Sequence, residues 1–185
     1  MDKMLNYGFQ ISETMTATID KLVRKSLFSL VKDIRNKWHG RERETISLYA
    51  FMHLQKLCCR KSILKEPSQI CIEGAVPQIK GYKKPEVWKD LIIWPRPKMS
   101  CFKKDGNPFY YPLVVMEWKL VKDDKNAKGA SEVAKKDTAW LQRFLKESEG
   151  KSIGYSIVVC AYKYIWYKRI YPGKETKYEK ITDNS

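Results

Sequence analysis

The order of apolar patterns predicts an α/β protein, with a central mixed sheet of four to five strands flanked by helices and an N-terminal helical segment. Two observations carry this expectation. Apolar residues recur at three-to-four residue spacing over residues 13–38 and again over 131–149. Between and after these lie short strand-like runs, "QICIEGAVPQI", "VWKDLIIW", "LVVMEWKL" and "SIGYSIVVCAY". A helix set between two apolar strands implies a crossover, which makes the sheet mixed.

The elements follow in order. The first helix places Ile19, Leu22, Val23, Leu27, Leu30, Val31 and Ile34 on one face, and His39-Gly40 interrupts it. A second helix over residues 41–61 offers Ile46, Tyr49, Met52, His53 and Leu57 as an inner face, and Pro67 ends the helical region. The strand at 69–79 meets a bend near Gly74, residues 81–85 turn, and a second strand covers 87–94. Residues 95–112 form a loop excursion with four prolines and an Asp105-Gly106 turn signal before the third strand at 113–120. After a polar loop, Ser131 is the expected cap of the next helix, and Glu132 suits its positive end. Val133, Trp140, Leu141, Phe144 and Leu145 mark the buried side of that helix. A fourth strand covers 152–162, and 163–172 is a fifth strand or an edge. The polar residues 174–185 are expected to fray as a flexible tail. Residues 1–41 then form a helical segment packed on a core of 42–173, one domain overall.

Composition narrows the class. The chain has 185 residues, 43% hydrophobic and 12% aromatic, enough to bury a core. No apolar run approaches the roughly 18–20 residues of a membrane span, so no membrane partner is expected. The N-terminus lacks a secretory pattern, and the expected location is cytoplasmic. Five cysteines without a C-x-x-C pair argue against a zinc or disulfide framework. Cys71 and Cys160, in apolar runs, are expected as small core residues. The formal net charge of +15 favours polyanionic partners, although a lysine-rich solvated surface also accounts for it. No G-x-x-x-x-G-K-[ST] loop and no G-x-S-x-G elbow occurs, which removes those enzyme classes.

The chemistry concentrates in "LVVMEWKL". Alternation puts Leu113, Val115, Glu117 and Lys119 on one face of the strand. Glu117 and Lys119 thus project together, about 6–7 Å apart along the chain. Unpaired charges are costly to bury, so the pair needs partners or a ligand. Asp90, in the preceding strand, can lie beside Glu117 if the two strands pair across the proline-rich excursion. Two carboxylates and a lysine suit a hard divalent cation such as Mg²⁺. The same residues also suit a simple same-face salt bridge on an edge strand.

Asp90 followed by Glu117-Trp118-Lys119 in an apolar strand resembles the metal-binding signature of the PD-(D/E)XK nuclease superfamily, the restriction-endonuclease-like fold. The resemblance spans roughly residues 42–162, including the helix–strand unit "KKDTAWLQRFLKE"…"GYSIVVCAY". Lys89 stands where the motif's proline would be. The resemblance implies metal ligation by Asp90, Glu117 and the backbone carbonyl of Trp118, and a catalytic role for Lys119. A further glutamate on the first core helix would be Glu44 or Glu42. It also implies Mg²⁺ as cofactor, with Mn²⁺ able to substitute. Nucleic acid is the implied substrate, DNA favoured over RNA, and a homodimer is compatible because many similar nucleases cut two strands as dimers.

Lys135 and Lys136 follow as candidate phosphate contacts. The C-terminal stretch interleaves aromatic residues with Lys168 and Arg169, which suits either stacking on bases or an edge strand with buried rings. The expected function is a Mg²⁺-dependent nuclease. The alternatives are a catalytically inactive nucleic-acid-binding module of the same fold, or a basic protein-interaction or inhibitor protein.

Overall fold

A computed structural model of the chain describes residues 11–36, 40–102, 106, 109–122, 125–161, 163–172 and 176–183. His39 and Asp105, each singled out from the sequence, lie outside the described residues.

Helix α1 covers Glu13–Arg35. Ser12 caps it, its side-chain oxygen accepting the Met15 N–H at 3.1 Å. Ile19, Val23, Leu27, Leu30, Val31 and Ile34 are buried along one stripe, as the spacing predicts. Helix α2, Glu42–Leu48, continues into a π-helical segment, Tyr49–Leu54. This wider turn explains one departure from the expected inner face. Ideal α spacing from Ile46 would bury Tyr49 and His53. The π turn adds a residue per turn, so Ala50 and Leu54 are the buried positions beside Tyr49, and Met52 is exposed.

Six strands follow: β1 Ile70–Pro77, β2 Glu86–Ile93, β3 Val114–Val121, β4 Ile153–Cys160, β5 Tyr164–Ile170 and β6 Glu179–Ile181. They lie in the sheet in chain order, antiparallel except for the parallel β3–β4 pair. The sequence had suggested four to five strands and a fraying end. Instead β6 docks on β5 and Ile181 is buried, because its one apolar side chain reaches the core beside Ile165.

The crossover between β3 and β4 contains two helices, α3 Ala127–Val133 and α4 Lys135–Glu147, broken at the buried Ala134. Asn126 caps α3 by accepting the Gly129 N–H at 2.9 Å. Ser131, the expected cap, lies inside α3, and Val133 is exposed rather than buried. Leu141, Phe144 and Leu145 of α4 are buried as expected.

The sheet is covered on both sides. Against one face, α1, α2 and the π turn pack on Leu91, Met116, Trp118, Tyr155 and Ile157, with the Tyr49 and Trp118 rings 4.9 Å apart. Against the other, α4 packs on Val76, Ile92, Val115 and Ile170. Every residue of β4 is buried, which marks it as the sheet centre. Among the described residues no helix is long and apolar enough to cross a membrane.

Candidate functional site

Strands β2 and β3 pair only through Ile93–Val114, Ile92–Val115 and Leu91–Met116. Beyond Met116 they part, and the edge of β3 facing β2 loses its ladder partners. Trp118 and Leu120, two residues apart, send their N–H groups to this same edge. Both are taken by carboxylates. Asp90 Oδ2 accepts the Trp118 N–H at 2.7 Å, and Glu42 Oε2 accepts the Leu120 N–H at 2.8 Å. A backbone carbonyl leaves a strand on the same edge as its own N–H, so the Trp118 carbonyl also faces this fork.

The two glutamates that the sequence left open have different partners. Glu44 turns to the start of its own helix, accepting the Arg41 N–H at 2.7 Å. Glu42 reaches the fork.

Glu117 and Lys119 project from β3 toward α4, on one face as alternation predicts. Glu117 is 6% exposed and forms an ion pair with Lys89. Lys89 is itself buried and lies 3.5 Å over the Trp140 ring of α4. The Asp90 carboxylate is near enough for its charge to act on the Glu117 carboxyl. Burial pushes Glu117 up to about 8; Lys89 opposes the rise and Asp90 adds to it. Lys119 Nζ lies 3.0 Å from Asp137 Oδ2, in the first turn of α4. Burial alone would lower the Lys119 pKa, but Asp137, with Glu42 and Asp90 behind it, raises it on balance.

The fork therefore gathers Glu42, Asp90, Glu117 and Asp137 with Lys89 and Lys119. Lys89 and Asp137 were missed as site residues. Lys89 read only as a departure from a motif. Asp137 had one available signal: an acid in the first turn of the helix that leaves and re-enters the sheet beside the strand carrying Lys119.

The chain matches no family model, no curated protein and no solved structure.

The other candidate residues sit elsewhere. Lys135 and Lys136 are exposed at the start of α4, next to Asp137. Lys168 is buried on β5, 4.5 Å over the Tyr178 ring, and Arg169 pairs with Asp20 at 2.7 Å. Both are turned to partners within the fold rather than to an open phosphate-binding surface. His53 Nε2 lies 2.6 Å from Asp33, a satisfied boundary histidine. Cys101 and Cys160 are buried and Cys71 is half-buried.

The donor set can be weighed against a divalent cation. Among the described residues, no three His, Cys, Asp or Glu side chains are grouped to hold a metal ion by themselves. Mg²⁺ does not ask for such a cage. It keeps several waters and uses one or two carboxylates plus substrate oxygens. Asp90, Glu117 and the Trp118 carbonyl are hard oxygen donors of that kind. A cation there would also relieve the repulsion between two adjacent carboxylates. The Lys89 ammonium competes for Glu117 and has to move aside.

Proposed function

We propose that the chain is a divalent-metal-dependent nuclease with a restriction-endonuclease-like fold, hydrolysing phosphodiester bonds of nucleic acid, with DNA the favoured substrate. The observation that carries this reading is that Asp90 and Glu42 occupy the Trp118 and Leu120 N–H groups on the bared edge of β3, the strand that also carries Glu117 and Lys119. The order of elements supports it: a helix, three antiparallel strands, a helical crossover and a parallel strand. Asp90, Glu117 and the Trp118 carbonyl would hold Mg²⁺, or Mn²⁺ in its place. The ion supplies charge neutralisation at a phosphate oxygen and a more acidic bound water. Glu42 holds the β3 edge open by occupying the Leu120 N–H. Lys119, kept as an ammonium by Asp137, orients the attacking water and stabilises charge developing on the phosphoryl oxygens. Lys135 and Lys136, beside Asp137, meet the neighbouring phosphates.

The test is cleavage of plasmid and single-stranded DNA with Mg²⁺ or Mn²⁺. Glu117→Ala and Lys119→Ala should each lower the rate at least about 100-fold. Cleavage untouched by both substitutions would sink the assignment.

A second reading has one observation in its favour. Lys89 already supplies a cation to Glu117, as expected of a site that has given up metal and kept nucleic-acid binding. Calorimetric titration with Mn²⁺ separates the two. Binding by the wild type that is lost in Asp90→Asn supports the nuclease, and no heat from either protein supports the inactive module.

A further inference from the structure

The hairpin of β1 and β2 carries Asp90 on one limb, and its turn, residues 78–85, is fastened to α4. Gln78 Oε1 accepts the Trp140 indole N–H at 3.0 Å. The Lys80 N–H donates to the Glu147 carboxylate at 2.9 Å. Arg143 Nη2 donates to the Lys80 carbonyl at 3.4 Å. The turn is therefore held along a helix that also borders the fork, through Trp140 and Lys89.

What this hairpin presents outward differs from a merely solvated loop. Lys80, Lys83 and Lys84 are exposed. Between and after them stand two aromatic residues in water, Tyr82 at 53% and Trp88 at 65% exposure. An indole ring left in solvent forgoes a large burial gain. Isolated exposed rings are ordinary. Two rings on one fixed hairpin, set among three ammonium groups, match the chemistry of an unpaired nucleic-acid strand, where bases stack on rings and phosphates meet cations. Trp88 precedes Asp90 by two residues on the same strand, about 6–7 Å away. Lys89, between them, points to α4, so alternation turns Trp88 to the opposite side of the hairpin, where it is open to solvent.

We propose that the β1–β2 hairpin is a gripping arm for single-stranded or frayed nucleic acid. Trp88 and Tyr82 stack on unpaired bases, and Lys80, Lys83 and Lys84 contact the phosphates. This rests on the fork being the reaction site and specifies the substrate of that site as an unpaired strand. An intact duplex hides its base faces and offers the arm phosphates alone.

Fluorescence anisotropy in EDTA tests the arm without metal or cleavage. The probes are a labelled oligothymidylate of about 12 nucleotides and its duplex with oligodeoxyadenylate. Wild type should bind the single strand more tightly. Trp88→Ala should weaken single-strand binding by roughly tenfold or more while changing duplex binding much less. Lys83→Gln with Lys84→Gln should flatten the dependence of log affinity on log salt by about 1.4. The proposal is overturned if neither probe binds, if the duplex is preferred, or if Trp88→Ala affects both probes equally. Its fate is separable from that of the nuclease. Arm-dependent binding without cleavage leaves the arm standing and removes the nuclease. Cleavage that Trp88→Ala leaves unchanged, with single-strand affinity also unchanged, does the reverse.

Discussion

Glu117 is a carboxylate buried beside a second carboxylate and a single ammonium. Its folded pKa of about 8 stands above its ordinary value of 4.5. The folded state therefore binds more protons than the unfolded state between those values, and stability falls as pH rises through that window. Gln cannot ionise and still accepts a hydrogen bond from Lys89. Melting curves from pH 5 to 8 should accordingly show wild type losing stability relative to Glu117→Gln. A pH-independent difference would show that burial does not hold this proton. Much of this site was legible in the sequence. Strand alternation alone put Glu117 and Lys119 on one face, and the preceding apolar strand offered Asp90 as a neighbour. The partners were not legible, because Lys89–Trp140 and Lys119–Asp137 join β2 and β3 to a helix far along the chain. Nothing in local spacing says which way that helix turns its polar residues.

Elements were legible where their period was clean. The stripe of α1 and the two faces of β3 and β4 follow their expected periods closely. The π turn after α2 was not, because a single extra residue per turn leaves composition unchanged while moving burial from His53 to Leu54. Which of Glu42 and Glu44 reaches β3 depends on how α2 meets that strand, which neither element encodes by itself. The expected bend near Gly74 has a clear physical origin. Glu73 adopts the left-handed region at φ 49°, and a Cβ on Gly74 would fall 2.3 Å from Ile92 Cδ1 and 2.4 Å from its Cγ1. Ile92 is fully buried and β-branched, so it has little room to yield. Gly74→Ala should cost about 1–3 kcal/mol of stability in urea denaturation, as an overpacked core does. A neutral result would mean that β1 can slide away from β2.

At the scale of the whole molecule, the last described residues matter more than their polarity suggests. Ile181 is 1% exposed, and the Tyr178 hydroxyl lies 2.7 Å from the Ser156 hydroxyl on the central strand β4. A three-residue strand with two charged residues has too short a pattern to recognise, which is why the sequence predicts a tail at β6. Ending the chain after Lys177 bares the ladder groups of β5 and removes the Ser156 partner. Light scattering of that truncation should reveal self-association through the freed edge, and a monodisperse, equally stable product would refute this role. The order of the sheet has a kinetic consequence as well. Strands β1, β2 and β3 meet neighbours adjacent in the chain, as do β4, β5 and β6, so each trio closes over shorter connections than the crossover does. The parallel β3–β4 seam alone waits for the α3–α4 crossover to be drawn in. Asp90 and Glu117 can thus meet within the first trio, whereas Asp137 reaches Lys119 only when the crossover closes, which makes that closure the step that completes the fork.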